Sequence, residues 1–381
     1  MTSNVEALRA YEEGVSFNDR VLTEDAQRAF QRATELDPQF ALAHYQLALN
    51  LYLPGDFGAA RHAIGRAREI ADRQSLPRQQ KLLIQAAQLR FDGRLEEADE
   101  LLQSALREFP REVDLRLQLC WIRLDEWKHS EVPPIVEEIL RLDERQPLAY
   151  MAFAYGYGFA GDVPQALAGV DRYASLLPPN DLNPIDTRGD VLAMNGRYEE
   201  ALAAYRKNRE LNPGSGWGSA VKIAPTYLCA GQNSLAEASA LSVTRQANDA
   251  SARAWTARML GEIEVGRGRL DAAVAYYEEA ARLLGTRPPP AAFGAVFMGA
   301  QIYFEQRQPE AALALGRRHA GLWAAGVRGT AYLLLKNEPA AEKEFNAQRA
   351  YLTPPWASIW PGNMLTWSAC WRLLTQAGYR R

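Results

Sequence analysis

Between Asn183 and Pro213 the apolar residues recur twice with the period of a helix. Ile185, Gly189 and Leu192 share one face of a segment from about Pro184 to Met194. Tyr198, Ala201, Ala204 and Tyr205 share one face of the segment that follows. Spacings of three, four and seven residues put side chains on one stripe of an α-helix, so the pattern predicts two packed helices joined by a short turn. Asn183 suits the N-cap of the first, and Pro184 its first position, where a missing N–H leaves nothing unpaired. Gly189 removes a side chain where the partner helix comes close. Asn195-Gly196 predicts the stop, because both residues tolerate the left-handed conformation of a helix end. Glu199 and Glu200 fall in the first turn of the second helix, facing the positive end of its dipole. Leu211-Asn212-Pro213 closes the unit.

The turn belongs to a phrase that recurs: Gly93-Arg94-Leu95-Glu96-Glu97-Ala98, Gly196-Arg197-Tyr198-Glu199-Glu200-Ala201 and Gly268-Arg269-Leu270-Asp271-Ala272-Ala273. Weaker copies begin at Gly55 and Gly161. Gly93 and Gly196 are 103 residues apart, Gly196 and Gly268 72, and Gly161 and Gly196 35. These are three, two and one multiples of a period near 35, which is the mark of stacked helical repeats. Each copy has the same grammar of small residue, turn glycine, aromatic or leucine, alanine and large residue. It reads Ala86, Gly93, Leu95, Ala98, Leu102, Ala105 and Pro110 in one copy. In two others it reads Ala154, Gly161, Val163, Ala166, Val170 and Pro178, and Gly261, Gly268, Leu270, Ala273, Tyr277 and Ala280.

This grammar resembles the tetratricopeptide repeat (TPR), a helix–turn–helix unit of about 34 residues. The resemblance covers nearly the whole chain. It implies an all-α fold, a right-handed superhelical solenoid of about nine TPR-like repeats whose first helices line a concave groove. The expected organisation is a degenerate helix pair over 1–38, an array of about seven repeats over 39–286, two further degenerate repeats over 287–352, and a Pro/Trp-rich segment with a C-terminal capping helix over 353–381. Within the array, the repeat from Val113 to Gln146 has Trp127 where the turn glycine would stand, and Pro133-Pro134 is expected to open its second helix. Pro225 falls inside a first helix and predicts a kink.

Composition narrows the function classes. The 381 residues carry a net charge of −3 with both signs interspersed, so neither a nucleic-acid stripe nor a polybasic membrane patch is present. Three distant cysteines, Cys120, Cys229 and Cys370, do not make a disulfide framework and read as small buried residues. The charged N-terminal thirty residues do not read as a signal peptide, and the longest apolar stretch, Tyr150 to Ala160, is too short to span a bilayer. The expected location is cytoplasmic.

Catalytic chemistry finds little support. The carboxylate pairs Glu96-Glu97 and Glu199-Glu200 recur at one structural position, the start of a second helix, and read as solvated helix face. His44, His62, His129 and His319 sit in different repeats, with none of the spacings that gather metal ligands. Gly214-Ser215-Gly216-Trp217-Gly218 follows a helix end instead of a strand, which suits an inter-repeat turn better than a phosphate cradle. The reading is non-enzymatic, with no catalytic residue, metal or cofactor.

The groove remains. On the resemblance, exposed groove positions on first helices include Arg90, Phe91, Trp121, Asp125, Tyr155, Phe159, Asp186 and Asp190. Tryptophan, tyrosine and arginine tend to anchor partners, and this aromatic and acidic strip suits a peptide or protein surface with apolar anchors and some positive charge. Phe40-Ala41-Leu42-Ala43-His44-Tyr45 after Leu36-Asp37-Pro38, and Asn183-Pro184-Ile185-Asp186, further resemble the repeat half of bacterial multidomain Ser/Thr kinases and related signalling regulators. That resemblance implies, as the alternative to a free-standing interaction scaffold, the sensory or docking array of such a system. The kinase motifs themselves are not in this sequence. Four of nine tryptophans, Trp356, Trp360, Trp367 and Trp371, lie near the C-terminus. They suit a cap on the last repeat, or an interface that would make the chain a weak dimer instead of a monomer.

Overall fold

The structure, a computed structural model, describes residues 2–20, 22–52, 57–126, 128–211, 220–246, 250–284, 293–318 and 322–351. Regular structure among them is all helical: twenty α-helices and one short 3-10 turn. The all-α expectation is met, with ten helix pairs in sequence where about nine were expected. Trp127, Gly55, His319, the Gly214–Gly218 loop, and the C-terminal tryptophans with the cap expected of them, lie outside the described residues.

The chain divides into two compact units with a boundary between Val191 and Leu192. The first holds α1 (Val5–Asp19), α2 (Thr23–Leu36), α3 (Ala41–Tyr52), α4 (Phe57–Arg73), α5 (Arg78–Phe91), α6 (Leu95–Glu108), α7 (Val113–Asp125), α8 (Val132–Leu142), α9 (Pro147–Ala160), α10 (Val163–Leu176) and most of α11 (Asn183–Met194). The second holds the end of α11 and then α12 (Tyr198–Leu211), α13 (Ala220–Cys229), α14 (Asn233–Gln246), α15 (Ala250–Gly266) and α16 (Leu270–Leu284). It continues through α17 (Phe293–Glu305), α18 (Pro309–Arg317), α19 (Leu322–Leu334) and α20 (Glu338–Tyr351).

One packing relation recurs in four of the pairs. A small residue on the first helix meets a large one sixteen positions later on the second, and between α9 and α10 the order is reversed, a β-carbon on Gly169 standing 2.8 Å from Phe153. A β-carbon on Gly14 would stand 2.6 Å from Phe30, and one on Gly261 2.7 Å from Tyr277. Gly299 with Leu315 and Gly329 with Phe345 repeat the relation. Both ring partners, Phe30 and Tyr277, are fully buried. Removing one side chain lets the helix axes close in until the ring fills the gap, which is how the interior reaches native packing density.

Turns are as regular as cores. Gly93, Gly161, Gly196, Gly231 and Gly268 all have φ between 72° and 85°. In each case the next N–H reaches back five residues, as Arg94 N does to Leu89 O at 2.9 Å and Arg197 N to Leu192 O at 2.9 Å, closing a Schellman motif. Gly231 was not read from sequence because the charged phrase is missing after it. The motif survives without glycine at Arg307 and Lys336, both at φ 57°, where Gln308 N bonds Tyr303 O and Asn337 N bonds Tyr332 O at 2.8 Å. Leu22 N to Phe17 O and Lys128 N to Arg123 O close two further turns. The arginines of the phrase also bond locally, Arg94 with Glu97 and Arg197 with Glu200, three residues on.

One local reading changes. Asn183 does not cap α11; Asp181 does, its Oδ1 accepting from Asn183 N at 3.1 Å. That leaves the Asn183 amide able to donate to the Arg20 carbonyl at 3.4 Å. Pro133 and Pro134 open α8 as expected, and Pro225 sits inside α13.

Candidate binding face

The face is clearest on α7. Asp114, Gln118, Trp121 and Asp125 follow one another at intervals of four, three and four, so they form one stripe along the helix. Side chains on this stripe reach the first helices of neighbouring repeats. Arg90 on α5 places Nε 2.6 Å from Asp125 Oδ2 on α7, with both side chains buried. On α9 and α11, the Tyr155 hydroxyl donates to Asp190 Oδ2 at 2.9 Å. Between α1 and α3, Asn50 Nδ2 donates to Asn18 Oδ1 at 3.3 Å. The partners are 35, 35 and 32 residues apart, close to one repeat period, so the inner face is joined sideways by a polar ladder.

This ladder corrects the expected groove residues. Arg90, Phe91, Asp125, Tyr155 and Asp190 are buried instead of exposed. Adjacent first helices approach closely enough for long side chains to bond one another in place of a ligand. Burial raises the Asp125 carboxyl pKa against the opposing pull of Arg90. Burial first, then Asp190 and Asp186, hold the Tyr155 hydroxyl well above its ordinary range. Phe91 belongs to the hydrophobic core of α3 to α7. Phe159 is half-buried, its ring stacked on His129 at 4.1 Å between centroids. Trp121 and Asp186 remain half-exposed on the face.

Other residues of the first unit were missed from sequence. Asp19, at the end of α1, has its pKa raised to about 6 by burial first and then by Asp114 and Asp143. Asp114 is raised as well, by its enclosure and by Glu112. Burial first, then Asp114 and Tyr11, hold the Tyr45 hydroxyl well above its ordinary range. Arg20 Nε binds Asp181 Oδ2 at 2.9 Å, tying the end of α1 to the α10–α11 link. Asp114 lies seven residues before Trp121, a helical spacing that could have flagged it. Nothing in the local sequence marks Asp19 or Asp181.

The second unit has its own buried polar set. Arg258 and Glu262, one turn apart on α15, are both buried and bonded. Burial raises the Glu262 pKa to about 7 against the attraction of Arg258. The Lys222 ammonium stands 5.7 Å from the centre of the Tyr205 ring. Of the cysteines, Cys120 is buried and its thiol is pushed up to about 12, so it stays protonated and unreactive. Among the described residues no three His, Cys, Asp or Glu side chains gather as metal ligands, and no helix is long and apolar enough to cross a membrane.

Residues 258–327 match the tetratricopeptide repeat family, covering the end of α15 through the first part of α19. No curated protein resembles the chain in sequence at a significant level. Among solved structures, yeast Tom70 is similar with a TM-score of 0.49 and 12% identity, over 97% of this chain and 96% of that one. A tetratricopeptide repeat protein from Parabacteroides merdae aligns with a TM-score of 0.45 and 14% identity, over 73% of this chain and 93% of its own.

Proposed function

We propose that this helical-repeat chain is a non-enzymatic interaction scaffold, holding a peptide or protein surface against the first helices of its first unit. The observation that supports this reading is the stripe on α7. Its base is fixed by the buried Arg90–Asp125 pair, while Trp121 stands half-exposed above it. A rigid polar floor under an aromatic anchor is what a partner-binding surface needs, because little side-chain freedom is lost on association.

Trp121 is the residue to test. Capture of a partner from the native host by the wild-type chain, lost in Trp121→Ala with helical circular dichroism unchanged, supports the reading. Undiminished capture by the variant overturns it. Tyr155 is a poor choice for this purpose, since its side chain is buried and its hydroxyl is bonded to Asp190.

A further inference from the structure

We propose that Arg20, Asp181 and Asn183 form a two-state latch between α1 and α11, the two edges of the first-helix face in the first unit, and that its release widens the face for a partner. The proposal rests on the reading of that face given above and names how access to it is regulated.

The three residues are bonded in a ring. Arg20 Nε donates to Asp181 Oδ2 at 2.9 Å. Asp181 Oδ1 accepts from the Asn183 backbone N–H at 3.1 Å. The Asn183 side-chain amide donates to the Arg20 carbonyl at 3.4 Å and closes the ring. A helix leaves its last carbonyls and its first N–H groups without partners of its own. Arg20 is the C-cap of α1, and its carbonyl is met from α11. Asn183 opens α11, and its N–H is met by the carboxylate that Arg20 holds. The two bonds that cross between the helices share Arg20 on one side and the tight Asp181–Asn183 turn on the other, so they form and break together.

Each helix buries its apolar side among its own neighbours. Ala7 and Ala10 of α1 pack with Ala33, Phe40 and Ala43. Val191 of α11 packs with Ala154, Ala166 and Val170. The joint between them is an ion pair whose Asp181 side chain is 2% exposed and whose Arg20 side chain is 31% exposed. For a buried pair, lost hydration and mutual attraction nearly offset one another. The closed and open states therefore lie close in free energy, and water already reaches the arginine. The joint also has a route to the face. Thr187 is fully buried, and its Oγ1 donates to Asn183 Oδ1 at 3.2 Å. Asp190, which accepts from Tyr155 of α9, comes next. Asn183, Thr187 and Asp190 follow at intervals of four and three, so the joint and the last rung of the polar ladder share one stripe of α11. At the other edge Asn18, two residues before Arg20, bonds Asn50 of α3. Release of the joint thus loosens the first and last rungs at once.

Hydrogen exchange on the full chain, read by mass spectrometry at the last turn of α1 and the first turn of α11, tests the latch. Arg20→Gln and Asp181→Asn should each speed exchange at both places at least about tenfold, the scale of one charged hydrogen bond. The double variant should be no faster than Asp181→Asn alone, because bonds that break together are not lost twice. Unchanged protection in α5 and α6 shows that the fold of these variants is intact. Asn183→Ala spares the carboxylate and should still speed both ends, so a change confined to α11 overturns the latch. Arg94→Gln removes the exposed pair with Glu97 in the same unit and should shift exchange at the two ends less than about twofold. Capture of the host partner should rise about threefold or more in Asp181→Asn, as the open state becomes more populated. Unchanged exchange in the single variants, or additive effects in the double variant, overturns the proposal. Faster exchange with unchanged capture overturns the latch's control of the face and leaves the scaffold reading standing. Capture that survives Trp121→Ala removes the scaffold reading alone, and the exchange results still decide the latch.

Discussion

Arg90 Nε and Asp125 Oδ2 lie 2.6 Å apart, one repeat period apart in sequence and both out of water. A buried ion pair contributes little compared with an apolar pair of the same volume, yet breaking it strands a charge. Asp125→Ala should therefore cost about 3–5 kcal/mol. Arg90→Met with Asp125→Leu should recover most of that loss. Urea melts of the two variants check the order, and a double variant no more stable than the single one would sink the argument.

Gly261 and Gly65 make opposite predictions for one substitution. A β-carbon on Gly261 would press on Tyr277 at 2.7 Å, whereas one on Gly65, inside α4, meets nothing within 4 Å. Gly261→Ala should destabilise by about 1–3 kcal/mol through overpacking. Gly65→Ala should stabilise by about 0.5–1 kcal/mol, because alanine loses less backbone freedom in a helix. Chemical denaturation of both variants reads the two signs directly.

Arg307 and Lys336 occupy the left-handed turn position that glycine fills at five other turns. A side chain in that conformation costs roughly 1–2 kcal/mol, part of which glycine returns as unfolded-state entropy. Arg307→Gly and Lys336→Gly should each raise stability by about 0.5–1 kcal/mol. Gly196→Ala should lower it by a similar amount although space is open around it. Differential scanning calorimetry of the three variants is the measurement.

Asp19 sets a pH dependence. Its folded pKa of about 6 lies above the usual 3.8, so the native state binds the proton more tightly than the unfolded chain. Stability on its account falls as pH rises through about 4 to 6 and stays low above that. Because the side chain is partly exposed, the effect is screened to about 1 kcal/mol. Asp19→Asn should therefore raise the melting temperature at pH 7 and change nothing near pH 3. A wild-type chain whose stability rises monotonically from pH 4 to 7, in step with the variant, contradicts this.

Sequence carried the helices, the turns and the small-to-large packing because each depends on residues within one repeat. Gly93, Gly196 and Gly268 announce left-handed stops by their own chemistry, and Gly261 with Tyr277 keeps its spacing whatever surrounds it. The binding face depends instead on how closely one repeat approaches the next. Arg90 and Asp125 look like two exposed groove charges until neighbouring helices bring them within bonding distance. A signal was present in part: opposite charges, or a phenol and a carboxylate, standing 35 residues apart at Arg90–Asp125 and Tyr155–Asp190. Asp19 left no such trace, since Asp114 and Asp143 reach it from α7 and the end of α8.

The bond from Arg20 to Asp181 spans 161 residues of the first unit. An open stack of repeats touches only its neighbours, so it can fray from either end and its stability is a sum over links. Here the first hairpin is buttoned to the fifth, by a charged hydrogen bond on the order of 1–3 kcal/mol. Closing so long a loop slows assembly, because the ends must meet before the contact rewards them. Once closed, the ends lose their independence: peeling α1 away also unseats the start of α11. The first unit thus behaves less like beads on a string than like a buckled belt.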